Sequence, residues 1–394
     1  MKMPTDNYFA NALRPASLNR AEHQIALERC IGKVREILPV IGVRNPKIGI
    51  DNRKWSYCAP GDWVISFMSG QLWLALQLTG DPIFLNAARA RRPAFRDILR
   101  NRRSQNHDLG FQFSLSCVAD WRMTGSGEAH DMALDAARGL VSRYCPRGRY
   151  IQAWNALAKQ DMTRAKFVAG RMIADTMQNL ALLYWAWSET GNADFRDAAD
   201  GHAETTAQYL VRPDDTSFHT FIFDVVTGEP IRGETHQGFA NGSCWSRGQA
   251  WMIHGFAQSA RTTGNSAYLD IAKRLAVKAV ALMGNDDVPV WDFSVTDANA
   301  PRDSSAAAIM AAGIYIIADL SDETESTHWK SQADRLISGL LRSCDISGNP
   351  EAEGLLAHGA AHVTAGYSDT MLPYGDYYFM EALMRSLGHT DFFW

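Results

Sequence analysis

The sequence predicts an all-α protein, an (α/α)6 barrel closed from six helical hairpins, and three observations predict it. Six apolar segments with helical patterning recur, starting near Phe67, Phe111, Ile173, Gly248, Ser304 and Tyr377. Four of them end alike, in Thr-Gly followed by Asp, Ser or Asn, and lead into an Ala-rich amphipathic stretch. The hairpin units are uneven and longer than the uniform repeats of an open solenoid, which favours closure into a ring.

Taken in order, residues 1–20 read as a loose arm and 21–394 as one barrel domain, because no Pro/Gly-rich linker divides the chain. The first inner helix runs through Leu72-Trp73-Leu74 to Thr79-Gly80-Asp81, the second through Ala119-Asp120-Trp121 to Thr124-Gly125-Ser126. The third contains Leu180 through Trp187 and closes at Thr190-Gly191-Asn192; the fourth closes at Thr263-Gly264-Asn265. Glycine ends each helix in a left-handed cap, and the polar residue after it caps the next helix. A fifth copy, Ile314 to Ser321-Asp322, lacks Thr-Gly, and a sixth ends at Gly388. Leu180–Trp187 is apolar nearly all round, as a helix packed on both sides should be. Two strand-like pieces, Phe218–Asp224 and Val288–Phe293, are expected at the cavity mouth.

Composition excludes several function classes. The net charge is −4 and no basic stripe runs along the chain, so nucleic acid is not an expected partner. The densest basic run, Arg89 to Arg103, reads as a solvated outer helix face. The start of the sequence has no apolar signal region and no stretch is long enough to span a membrane. Six scattered cysteines without a Cys-x-x-Cys pair read as reduced thiols of a cytoplasmic protein. His358 and His362 have i, i+4 spacing, but the intervening Gly359 and the lack of an adjacent acid argue against zinc. No metal or other cofactor is expected, and neither a Gly-x-Ser-x-Gly elbow nor a phosphate loop occurs.

If the ring closes, the N-terminal ends of its inner helices converge on one cavity. Those ends carry Asp62-Trp63, His107-Asp108, Arg171 with Asp175, Gln237 through Arg247, Arg302-Asp303 and Gly375-Asp376. Asp175 lies in an otherwise apolar helical segment, where burial would raise its pKa and suit it to donate a proton. The alternative is an acid that caps the helix or pairs with Arg171. Asp108 reads alone as a first-turn acid; beside Asp175 in one pocket it completes the carboxyl pair of a glycosidase. Arg247 suits a carboxylate ligand. Trp63, Trp73, Trp154, Trp245 and Trp251 could offer faces to sugars, although most of the twelve tryptophans are expected in the core.

These motifs resemble those of unsaturated glucuronyl hydrolases, glycoside hydrolase family 88. The resemblance runs in order from Asp62-Trp63 and Ser69-Gly70-x-Leu72-Trp73 through His107–Phe111, Ile151–Trp154 and Ile173–Asp175. It continues with Phe218–Phe221, Thr235–Gly238, Trp245–Trp251, Arg302–Ala306 and Gly375–Leu383. It implies an (α/α)6 barrel that removes Δ4,5-unsaturated uronic acid from the non-reducing end of lyase-generated oligosaccharides. It assigns the general acid and base to Asp175, a second essential carboxylate to Asp108, and substrate contacts to Trp63, His107, Trp154, His219, Gln237, Trp245 and Arg247. In the family scheme one carboxyl first protonates C4 of the vinyl ether and then takes a proton from the water that adds at C5. Members acting on sulfated fragments carry a Ser-x-Ser-x-Lys-like segment; here residues 360–368 hold no lysine, and none follows Lys330. A preference for unsulfated substrates is therefore expected. Val64-Ile65-Ser66-Phe67-Met68 also departs from the family's usual Thr-Asp-Gly-Phe-Trp, beside the first inner helix. The rival readings are an unsaturated rhamnogalacturonyl hydrolase, a sugar epimerase, which typically wants histidine pairs, and a non-catalytic oligosaccharide-binding protein.

Overall fold

The computed structural model describes residues 20–155 and 162–394; the arm expected over 1–20 lies outside them except for Arg20. Outer and inner helices alternate along the chain. Outer α1 (Arg20–Ile41) precedes inner α2 (Phe67–Thr79), and outer α3 (Pro82–Arg89) and α4 (Arg92–Arg100) follow. The second inner rod joins α5 (Leu109–Phe113), a π-helical turn at Ser114–Val118 and α6 (Ala119–Thr124). Outer α7 (Gly127–Val141) and the short α8 (Met162–Val168) lead to inner α9 (Thr176–Thr190) and outer α10 (Ala193–Tyr209). Inner α11 (Ser246–Thr263), outer α12 (Ser266–Met283), inner α13 (Ser304–Asp319), outer α14 (Glu323–Ser343) and inner α15 (Pro373–Ser386) complete the chain. Each inner helix packs on the next, and α15 returns to α1 and α2, so the ring closes.

Burial follows position in the ring. Every residue of α15, and all of α13 from Ser304 to Ala318, is buried, whereas α7 buries one stripe that includes Ala129, Ala133, Ala136, Ala137 and Leu140. Inner helices approach closely: a Cβ on Gly255 would fall 2.5 Å from that of Met177, and one on Gly313 would fall 2.8 Å from the His254 Cα.

The repeated Thr-Gly corner has a physical reason. Gly80, Gly125, Gly191 and Gly264 adopt φ of 67, 71, 68 and 71°, where a side chain is strained. Asp81, Ser126, Asn192 and Asn265 then accept the orphan N–H groups of Ile83, Ala129, Asp194 and Ala267. The threonine stitches the corner. Its hydroxyl donates to the carbonyl four residues back, at Ala75, Asp120, Ala186 or Ser259. In three of the corners it also accepts the N–H of the capping residue. In the fifth repeat Asp322 caps α14 through Glu325 N–H without that corner. Asn192→Ala should lower stability by about 1 kcal/mol, measurable by urea unfolding.

Short strands dress one end of the ring. A hairpin pairs β1 (Pro46–Ile50) with β2 (Lys54–Tyr57), and a smaller one pairs β3 (Tyr144–Cys145) with β4 (Tyr150–Ile151). A third, antiparallel sheet orders β5 (Arg171–Ile173), β6 (Thr220–Phe223) and β7 (Pro230–Glu234). Two expectations need correction. The third inner helix begins at Thr176 rather than Ile173, because residues 171–173 extend to pair with β6 after Gly170 turns the chain at φ 64°. Val288–Phe293 forms no strand; it makes only the isolated bridges Val290↔Arg302 and Trp245↔Asp292, and Pro289 has no N–H to extend a ladder. The basic run also departs from a purely solvated face, since Arg91 is buried and donates to the carbonyls of Ala87, Gly42 and Arg44. His358 and His362 flank Gly359 in a non-helical segment bridged to Thr370 and Tyr367, with His358 at φ 59°, so their helical spacing is not realised.

Candidate active site

Asp175 stands at the boundary where β5 gives way to α9. Its carboxyl makes no capping bond, and its Oδ1 is buried without a hydrogen-bond partner. It does not pair with Arg171, whose guanidinium is held by Glu234 at 2.8 Å and by the Thr220 hydroxyl at 2.7 Å. Burial lifts the Asp175 carboxyl to about 7, against the opposing pull of the Arg247 charge.

The β5–β6 sheet brings His219 to this carboxyl, since Ala174 N–H donates to the His219 carbonyl at 2.9 Å. His219 Nδ1 accepts the backbone N–H groups of His236 and Gln237, each at 3.1 Å. Burial pushes the imidazole pKa well down, so the ring is neutral and its one proton sits on Nε2. That Nε2 is buried and unpaired, 3.9 Å from Asp175 Oδ1. An orphan donor and an orphan acceptor this close mark where a hydroxyl-bearing reactant fits.

Asp108 enters from the start of α5. It too makes no capping bond, and its own N–H donates to the Asn106 side chain at 2.7 Å. Burial, then the charges of Asp175 and Asp62, hold its carboxyl well above the usual range, so the two candidate carboxyls sense one another. His107 bridges the two helices: Nε2 lies 3.4 Å from Asp108 Oδ1, and Nδ1 lies 3.0 Å from the hydroxyl of Thr176, the first residue of α9.

The remaining expected residues surround this centre. Trp245 packs on His219 with centroids 4.2 Å apart, and Arg247 lies 4.4 Å over the Trp245 ring. Trp154 is half-buried, stacked on Phe167 and edge-on to His236 and His107. Trp63 is half-buried against Tyr374 and Phe111. The Gln237 side chain donates to the Ala361 carbonyl at 2.8 Å. Trp73 and Trp251, in contrast, are core.

Arg247 differs most from expectation. Its buried guanidinium already pairs with Asp303 and donates to the carbonyls of Ala360 and Ala361. It therefore ties the 359–370 segment to the inner ring and sets the local charge beside Asp175. Asp303 in turn caps α13 through the N–H groups of Ser305 and Ala306. Asp376 is structural as well: it accepts Leu355 and Leu356 N–H, each at 3.0 Å. Burial also lifts Asp376 to about 7, so the raised pKa does not distinguish it from Asp175; the unpaired oxygen does.

Sequence reasoning missed Tyr374, which is buried between Trp63 and Arg247. It also missed the Lys47–Asp62 ion pair of 2.7 Å. Tyr374 stands one residue before the quoted Gly375-Asp376 motif, within the first turn of α15, and that placement was the available signal. Nothing local marks Lys47, which arrives on β1 from outside the repeat.

Comparison with protein-family models finds no match. The chain is 38% identical over 367 residues to the unsaturated glucuronyl hydrolase of Bacillus sp. (strain GL1), spanning 92% of this chain and 96% of that protein. It is 33% identical over 340 residues, 84% of each chain, to the unsaturated chondroitin disaccharide hydrolase of Streptococcus pneumoniae. The crystal structure of the Bacillus sp. GL1 enzyme matches with a TM-score of 0.87, over 92% of this chain and 96% of that one. That of unsaturated glucuronyl hydrolase from Streptococcus agalactiae matches with a TM-score of 0.89 at 29% identity, over 100% and 98%. The closed ring, the inward carboxyls and this likeness over nearly the whole chain agree: the protein belongs to the unsaturated glucuronyl hydrolases and is a glycoside hydrolase.

Proposed function

We propose that the protein removes Δ4,5-unsaturated uronic acid from the non-reducing end of lyase-generated, unsulfated glycosaminoglycan-type oligosaccharides, with Asp175 as acid and base. The observation that carries this reading is the Asp175 carboxyl, lifted to about 7 with an unpaired oxygen facing His219 Nε2. The protonated carboxyl gives its proton to C4 of the vinyl ether, leaving oxocarbenium character at C5. The resulting carboxylate takes a proton from water as the water oxygen bonds to C5. The hemiketal formed at C5 then opens, and the leaving sugar departs with its hydroxyl. His219 Nε2–H orients the incoming oxygen, and Asp108 and His107 hold sugar hydroxyls. Trp63 and Trp154 offer ring faces, and the buried Trp245 backs His219 and Arg247. Gln237 and Arg247 fix the wall formed by residues 360–361, and Arg247 supplies positive charge beside the reaction centre.

The preference for unsulfated substrate rests on the same wall. A mutant of the Streptococcus agalactiae relative has been captured with dGlcA-GalNAc6S. Here the 360–368 segment carries no lysine, and Lys47, which interacts with Tyr367 of that segment, is neutralised by Asp62. Loss of ultraviolet absorbance from the conjugated uronate tests both points on chondroitin, gellan, ulvan and pectin lyase products side by side. An unsulfated chondroitin disaccharide should show kcat/KM at least about tenfold above its 6-sulfated form, equivalent to about 1.4 kcal/mol. A higher value for the sulfated form would defeat the preference, and turnover of the pectin fragment alone would move the protein to the rhamnogalacturonyl class.

We also place the protein in the cytoplasm. All six cysteines are free, and no helix among the described residues is long and apolar enough to cross a membrane.

A further inference from the structure

Asn179 lies in the first turn of α9, four residues after Asp175, and is fully buried. Its Oδ1 accepts the N–H of Phe111 at 2.6 Å, and its Nδ2 donates to the backbone carbonyl of Asp175 at 3.2 Å. Phe111 is the third residue of α5, so its N–H is one of the helix-start donors that lack an intrahelical partner. Next to it, a Cβ on Gly110 would fall 2.2 Å from the Asn179 Cα and 2.4 Å from its carbonyl oxygen. The backbones of the two helices thus touch, and only glycine permits it. Asp108 precedes this contact by two residues on one helix, and Asp175 precedes it by four on the other. On the far side, Ser66 Oγ donates to the Phe111 carbonyl at 2.8 Å, so the start of α5 is held from two directions.

We infer that Asn179, seated against Gly110, is the positioning residue that sets the separation of Asp108 and Asp175 and thereby the rate of the chemical step. It touches neither carboxyl; it joins the backbone that carries one to the helix that carries the other. A small change in this spacing matters because misplacing the substrate by about 1 Å against the proton-transferring group costs on the order of 100-fold. The inference rests on the proposal that Asp175 transfers the protons while Asp108 holds the sugar hydroxyls that place the substrate against it.

A double-mutant cycle tests it, with wild type, Asn179→Ala, Asp108→Asn and the double variant assayed on an unsaturated chondroitin disaccharide. Asn179→Ala should lower kcat about 100-fold with KM changed less than about threefold. In the Asp108→Asn background the same change should cost less than about threefold, because the spacing no longer matters. A residue that merely fills the core would give equal losses in both backgrounds, and that result, or an unchanged kcat in Asn179→Ala, overturns the inference. If the alanine variant does not fold, Asn179→Asp takes its place in the cycle. It keeps the acceptor for Phe111 N–H and loses the donor to Asp175, so a loss of about tenfold that vanishes with Asp108→Asn is expected. An additive or absent loss overturns the inference in this form too. Wild-type turnover by Asp108→Asn would sink the underlying reading and the inference with it, whereas an impaired Asp108→Asn with additive losses sinks the inference alone.

Discussion

Asp175→Asn should leave the barrel folded and lower turnover by about 1000-fold or more, the upper part of the range for general acid–base catalysis. The fold should survive because the change is isosteric and Oδ1 has no hydrogen bond to lose. Turnover should not, because an amide can neither give the proton to C4 nor take one from water. The wild-type pH profile carries the same assignment. Burial raises the carboxyl from 3.8 to about 7, so the proton-donating form dominates below that value and disappears above it. The kcat/KM should therefore fall as pH rises through about 7, approaching tenfold per unit, and the residual rate of Asp175→Asn should lack this limb. Both are read from the loss of the uronate chromophore, with circular dichroism confirming the fold. An unchanged rate in the asparagine variant would remove Asp175 from its role.

Arg247→Ala should be the most destabilising single change at the site, by about 3–5 kcal/mol. It strips the partner from Asp303, which is wholly buried, and frees the carbonyls of Ala360 and Ala361. Removing one member of a buried ion pair is costly because the other charge is left in a medium that solvates it poorly. Arg247→Lys should recover little, since one ammonium cannot reproduce the planar fork that meets three acceptors at once. Chemical denaturation measures the loss; a change under about 1 kcal/mol would show that the 359–370 segment is held by other contacts. In the folded fraction the alkaline limb should move to higher pH, because the charge that favours ionised Asp175 is gone.

The repeat was legible because its chemistry is local. A Thr-Gly-Asn corner such as Thr190-Gly191-Asn192 is read within a few residues, since left-handed backbone and side-chain caps depend on little else. All-round apolarity likewise identified α9 as an inner helix. The misplaced start of that helix and the absent strand at 288–293 have a common origin. Both depend on how distant segments offer backbone partners: β6 pairs continuously with Arg171–Ile173, whereas Val288–Phe293 bonds first to residues 301–303 and then to 244–246, each too briefly to make a ladder.

The site divides along the same line. Which residues could do chemistry was visible in the chain, and so was an inner ring whose N-terminal ends point one way, because residue type and helical period are properties of short stretches. Which of those residues remain free to act was decided by packing. Asp376 is saturated by the N–H groups of Leu355 and Leu356 from a distant loop, Asp303 caps its own helix and pairs with Arg247, and Arg247 is occupied by Asp303 and two carbonyls. Asp175 and His219 are left with one unpaired atom each, facing one another. Reactivity here depends on desolvation and on hydrogen bonds that are not made, and both are set by segments far apart in sequence that only the closed ring brings together.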